Sequence, residues 1–115
     1  MTQLSTAWLE QVEIAFTQCD ADGVIEYMNN RSAATFAEDG GLELVGKNLS
    51  GCHPEAARQK LAELLSAPAL NVYTIEKKGR RKMIYQAPLF EAGQFKGIVE
   101  ISLPLPEEIP HFIRK

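Results

Sequence analysis

The sequence predicts an α+β domain in which one five-stranded antiparallel sheet carries helices on a single face. Three observations lead there. Two short apolar, aromatic and β-branched segments, residues 15–20 and 24–28, flank an acidic-glycine turn near the start of the chain. A helical period occupies the middle, with Ala57, Leu61, Leu64 and Leu65 at offsets of four, seven and eight. After Pro68 the period drops to two and stays there as far as Leu103. Two strands early and three late, with helices between, make one sheet most economically. The length of 115 residues suits a single domain over 1–115, and a hydrophobic share of 45% supports a core that needs neither disulfide nor metal.

Taken in order, residues 1–14 read as a flanking helix whose period runs over 6–14, with Trp8, Leu9 and Val12 on one face and Phe16 one step further, capped by Ser5 or Thr6. Such a stripe covers the domain's own sheet or meets the same stripe of a second copy, which makes Trp8, Leu9 and Val12 the expected homodimer contact. Asp20-Ala21-Asp22-Gly23 joins the first two strands: glycine supplies a positive φ and the aspartates bond the local backbone. Asn29 or Asn30 caps a short helix over 31–37, which Asp39-Gly40-Gly41 ends. Residues 42–53 carry no sustained period and read as a helical turn with an irregular connection. Pro54 suits the first position of the longest helix, running from Glu55 to Ser66, and Ala67-Pro68 stops it. The last three strands form a meander turning at Gly79 and at residues 91–94. In the final strand Phe95, Gly97, Val99, Ile101 and Leu103 alternate with Lys96, Ile98, Glu100 and Ser102. The core thus spans 15–103. Pro104, Pro106 and Pro110 leave 104–115 as an irregular, loosely held tail.

Charge and cysteine usage narrow the function. The net charge of −3 divides into −6 over residues 1–50 and +3 over the rest. Much of the positive excess sits in Lys77, Lys78, Arg80, Arg81 and Lys82 around Gly79. At a pI of about 5.4 this run reads as a solvated hairpin tip, and no nucleic-acid partner is expected. Two cysteines make no framework, and the N-terminus has neither the basic start nor the apolar run of a signal peptide. No segment reaches the roughly 18 apolar residues of a membrane span. A cytoplasmic protein with reduced thiols is expected.

Two segments carry a family resemblance. Asp20-Ala21-Asp22-Gly23-Val24-Ile25-Glu26-Tyr27-Met28-Asn29 resembles the opening hairpin of PAS domains, the small sensor modules of signalling proteins, in which an acidic-glycine turn joins two strands and an Asn begins the next helix. Leu44-Val45-Gly46-Lys47-Asn48-Leu49 is similar to that family's Gly-Lys/Arg-Asn segment before the long helix. Cys52-His53-Pro54 also resembles a PAS variant found beside hemerythrin-like and other signalling domains. The resemblance covers about residues 14–103. It implies a sensory or interaction role, with a cavity between sheet and long helix that in some members holds haem, flavin or a small metabolite. Fold does not dictate function; the chemistry of particular residues does.

By that resemblance the cavity is expected among Met28, Phe36, Leu61, Leu65, Ile84, Tyr85, Val99 and Ile101, with Tyr27, Tyr85 or Gln86 orienting a ligand; residues at these periods equally make a plain filled core. Resemblance to haem-binding members makes His53 a candidate iron ligand and Cys52 a weaker one. Against this, His53 precedes Pro54 at the helix mouth, where an imidazole more simply caps the helix or meets solvent. No acid lies near His53 in sequence to orient it, so no nucleophile–base pair with Cys52 is expected, no catalytic residue is assigned, and no metal site is assigned. Asn48 is followed by Leu49-Ser50-Gly51, without the cysteine of the light-sensing flavin members, which disfavours flavin photochemistry and leaves non-covalent flavin open. Cys19 reads as a small packed residue. The expected function is a ligand-biased sensor or interaction module, not an enzyme. It would act as a homodimer on a separate effector, with a haem sensor using His53 or a ligand-free scaffold as the alternatives.

Overall fold

The computed structural model describes residues 6–115; Ser5, one of the two expected caps, lies outside the described residues. Five strands, β1 (Ala15–Asp20), β2 (Ile25–Met28), β3 (Asn71–Lys77), β4 (Arg80–Glu91) and β5 (Gln94–Pro104), form one antiparallel sheet in the order β2-β1-β5-β4-β3. Two α-helices, α1 (Asn30–Thr35) and α2 (Glu55–Ser66), and a series of 3₁₀ turns connect β2 to β3.

Local chemistry accounts for the opening hairpin. The Asp20 carboxylate accepts from the N–H groups of Asp22 at 2.9 Å and Val24 at 3.0 Å, while Gly23 takes φ +86°. The Gly-Lys-Asn segment then straps this hairpin. Gly46 N–H donates to Ile25 O, Ile25 N–H to Lys47 O, and Leu49 N–H to Gly23 O at 2.7 Å. The segment thereby satisfies the open edge of β2 that would otherwise present bare backbone.

Asn29 organises the entry to the sheet. Its Oδ1 accepts from Ser32 N–H, capping α1, and from Phe16 N–H, both at 2.9 Å; its Nδ2 donates to Leu9 O at 2.6 Å and Ile14 O at 2.8 Å. This corrects the expected helix over 6–14. The Leu9 carbonyl that would accept from residue 13 in an α-helix is taken by Asn29, and only a 3₁₀ turn, Ala7–Glu10, forms, with no side-chain bond from Thr6.

The core lies between the inner sheet face and the connecting segments: Cys19, Ile25 and Ile98 from the strands, Met28 at the end of β2, Leu44 and Leu49 from the 3₁₀ turns, Leu61 and Leu64 from α2. Phe36, Leu65 and Phe95 pack against it. α2 starts at Glu55 with Pro54 just before it, and its first backbone bond runs from Arg58 N–H to Pro54 O. Beyond Pro104, Leu105 N–H still reaches Arg81 O, after which the tail has no regular structure and exposes Ile109, Phe112 and Ile113.

Candidate functional site

Strand pairing sets which side chains meet beneath the helices. Across the sheet, Thr17 stands opposite Glu100, Glu100 opposite Gln86, and Gln86 opposite Asn71. These four polar residues therefore form one row on the inner face, continued on β2 by Met28 opposite Thr17. Gln86 Nε2 donates to Glu100 Oε1 at 2.6 Å, and Asn71 Nδ2 donates to Gln86 Oε1 at 2.7 Å. The hydroxyls of Thr17 and Ser32 share a bond of 2.5 Å. Glu100 is 5% exposed, yet no buried polar side-chain atom lacks a partner among the described residues. A buried carboxylate is tolerated only when it is bonded in this way.

His53 completes the row. Its Nε2 stands 3.2 Å from Glu100 Oε1, its Nδ1 stands 3.1 Å from Leu49 O, and its ring lies 6.0 Å from that of Phe36. The side chain is almost wholly buried, which corrects the expectation of a surface or capping histidine. Both ring nitrogens face acceptors, and a neutral imidazole carries one N–H, which can serve either contact. The acid absent from the local sequence arrives from β5, 47 residues further on.

One row along the sheet the chemistry turns apolar. A cavity of about 240 Å³ opens between α2 and the ends of β1 and β5. Cys19 and Ile98, opposite one another, come from the sheet; Leu61, Ala62 and Leu65 come from α2; Asn48, Leu49, Ser50 and Arg58 complete the wall. The Cys19 thiol is pushed above its ordinary pKa, chiefly by burial and against a hydrogen bond with the Ile98 backbone. It is a packed, neutral group rather than an activated nucleophile.

Of the cavity residues expected from sequence, Leu61 and Leu65 line this space. Met28 is in the core, Phe36 packs against it, and Ile84 is buried on the inner face beside the polar row. Tyr85, Val99 and Ile101 are placed differently. Their neighbours Ile84, Gln86, Ile98 and Glu100 face the helices, so strand alternation turns all three to the opposite face, where Ile101 pairs with Phe16 and Tyr85 with Ile101. Tyr27, paired with Gln18, shares that face and bonds Glu10. From Gly97 onward the expected in-out assignment of β5 is thus inverted, because reading the apolar residues as the inner set places Glu100 outside; Phe95, before the register shift, still packs against the core. The side chain of Cys52 lies outside the described residues. Trp8 is 52% exposed with its ring edge-on to Phe16, while Leu9 and Val12 are half-buried, so the three do not form one stripe.

No family model and no curated protein matches the chain. Solved structures do. A sensory box sensor histidine kinase from Vibrio cholerae aligns at TM-score 0.64 with 18% identity, covering 88% of this chain and 89% of that one. The PAS domain of BvgS from Bordetella pertussis aligns at 0.60 with 19% identity over 88% and 83%. A PAS domain from Colwellia psychrerythraea aligns at 0.60 with 16% identity over 89% and 94%. The chain folds as a PAS-like domain.

For this PAS-like domain a haem bound through His53 does not fit. A haem-ligating imidazole gives one nitrogen to iron and anchors the other, whereas here Nε2 faces Glu100, Nδ1 faces Leu49, and His53 does not line the cavity. The cavity is also below the roughly 300–1,000 Å³ usual for larger ligands, too small as built for a porphyrin or a three-ring flavin. Among the described residues no three His, Cys, Asp or Glu side chains gather as a metal site, and no helix is long and apolar enough to cross a membrane.

Proposed function

We propose that this PAS-like domain is a sensory module that takes a small ligand in the cavity beneath α2 and signals by a change in how α2 packs on the sheet. The observation that carries the reading is the position of the cavity floor. Cys19 sits on β1, which follows the N-terminal 3₁₀ turn, and Ile98 sits on β5, which leads into the C-terminal tail. A ligand wedged between these strands and Leu61 and Leu65 favours one packing over another and shifts the population, with both flanks attached to the strands it touches. The opening turn is coupled as well, since Gly23 lies so close to Leu65 and Asn48 that an added Cβ would stand 3.1 Å from Leu65 Cδ1.

The module acts as a homodimer on a separate signalling partner rather than as an enzyme. The exposed Trp8, together with Val72 and Tyr85 on the outer sheet face, supports the dimer. The His53–Glu100 pair is the acid–base geometry of the inner face; His53 does not itself line the cavity and adjoins it through the backbone oxygen of Leu49, a wall residue.

Backbone-amide NMR with a library of small, mainly apolar fragments tests the reading. Binding should move the signals of Cys19, Leu61, Leu65 and Ile98, and a cavity-filling Leu65→Trp variant that keeps the native circular dichroism should lose it. Fragments that move none of these signals at millimolar concentration would refute the proposal.

A further inference from the structure

Resting on the ligand-cavity reading, we infer that the ligand is a small apolar monoanion, an aromatic or short aliphatic carboxylate, whose head group is held by Arg58. The cavity is strongly asymmetric in chemistry. Its floor and roof are Cys19, Ile98, Leu61 and Leu65, and among the described residues that line it Arg58 is the one charged side chain. Arg58, Leu61 and Leu65 recur at helical spacing, so α2 presents one stripe to the cavity with its cation in the first turns and its leucines beyond. Asn48 and Ser50 stand in the wall with Arg58. A ligand matching this stripe has an apolar body and an acceptor at one end.

The present partner of Arg58 is replaceable. Its guanidinium pairs with Glu55 one turn earlier on α2, and both side chains are widely exposed at 47% and 71%. Exposed pairs of this kind contribute little, so a carboxylate that fills the adjoining cavity can take over the guanidinium in bidentate fashion. The positive end of the α2 dipole acts in the same direction. Size limits the body. An apolar cavity of about 150 Å³ accepts benzene, so about 240 Å³ accepts one ring with a short acid arm or a chain of comparable bulk.

Titration at pH 7 with phenylacetate, its neutral analogue phenylacetamide and hexanoate, followed by amide shifts, tests the inference. The acid should bind about tenfold more tightly than the amide, the worth of one partly exposed charge-assisted bond. Arg58→Gln should remove that preference, bringing the acid down to the affinity of the amide, and Glu55→Gln, which frees the guanidinium, should strengthen acid binding about twofold. Equal binding of acid and amide, or a preference that survives Arg58→Gln, would overturn the anion assignment and leave the cavity reading standing. No shift at the cavity residues with any of the three probes would overturn both.

Discussion

His53 Nε2 meets Glu100 Oε1 at 3.2 Å inside the domain, joining the entry to α2 to the middle of β5 across the inner sheet face. The same carboxylate oxygen accepts from Gln86, which in turn accepts from Asn71, so a chain of bonds crosses three strands. Glu100→Ala leaves Gln86 and His53 without this partner and should cost about 3 kcal/mol in urea unfolding. Glu100→Gln, which keeps the shape, should cost less than half as much. A loss below about 0.5 kcal/mol for the alanine variant would show that the row is dispensable.

The Asn29 side chain makes four bonds at once, to Leu9 in the N-terminal turn, to Ile14 and Phe16 at the entry to β1, and to Ser32 in α1. Asn29→Ala should destabilise the domain by about 2–4 kcal/mol. Asn29→Asp keeps the acceptor that caps α1 but loses the two donated bonds, and hydrogen exchange should then show Ala7–Glu10 released while α1 stays protected.

Gly97 has φ +147°, and a side chain there would land on the carbonyl oxygen of Cys19. Gly97→Ala should therefore break the β1–β5 pairing beside the cavity floor, at a cost of about 3 kcal/mol or more. Gly46→Ala, also at positive φ but with open space around it, should cost about 1–2 kcal/mol. Equal losses at the two positions would contradict the close approach at Gly97.

Cys19 and Tyr73 are both pushed above their ordinary pKa values by burial, and Tyr73 further by the nearby Glu100 carboxylate. Each is neutral when protonated, so the unfolded chain ionises first. Their stabilisation is complete below the ordinary values of about 8.5 for thiols and 10 for phenols, and is lost as pH rises through them toward the raised folded values. Urea midpoints should fall between pH 8 and 11, and less steeply in Cys19→Ala and Tyr73→Phe. A thiol reagent should modify native Cys19 far more slowly than the unfolded chain.

The exposed Trp8 beside Phe16 leads to a mass prediction. Light scattering at about tens of micromolar should give twice the chain mass, and Trp8→Lys should return a monomer with the same circular dichroism. A wild-type monomer would remove the dimer from the proposal.

The parts of this protein that are legible in sequence are those whose cause is local. The Asp20–Gly23 turn, the Asn29 cap, the α2 stripe and the period-two strands each depend on residues within a few positions of one another, and chain order then leaves few ways to pair five strands. Parity in β5 is not local. Which of Ile98–Glu100 or Val99–Ile101 faces the helices depends on partners on β4 and beside α2, and the buried carboxylate reverses the assignment that hydrophobicity alone suggests. The flanking helix was shortened by the same kind of cause, since Asn29 reaches 20 residues back for the Leu9 carbonyl. The sequence by itself determined a PAS-like sheet-and-helix order and a long helix with leucines facing inward. Only the tertiary structure decided that His53 is buried on Glu100 and that the apolar cavity lies apart from it under Arg58, because burial and charge pairing act between residues that meet only when the sheet closes.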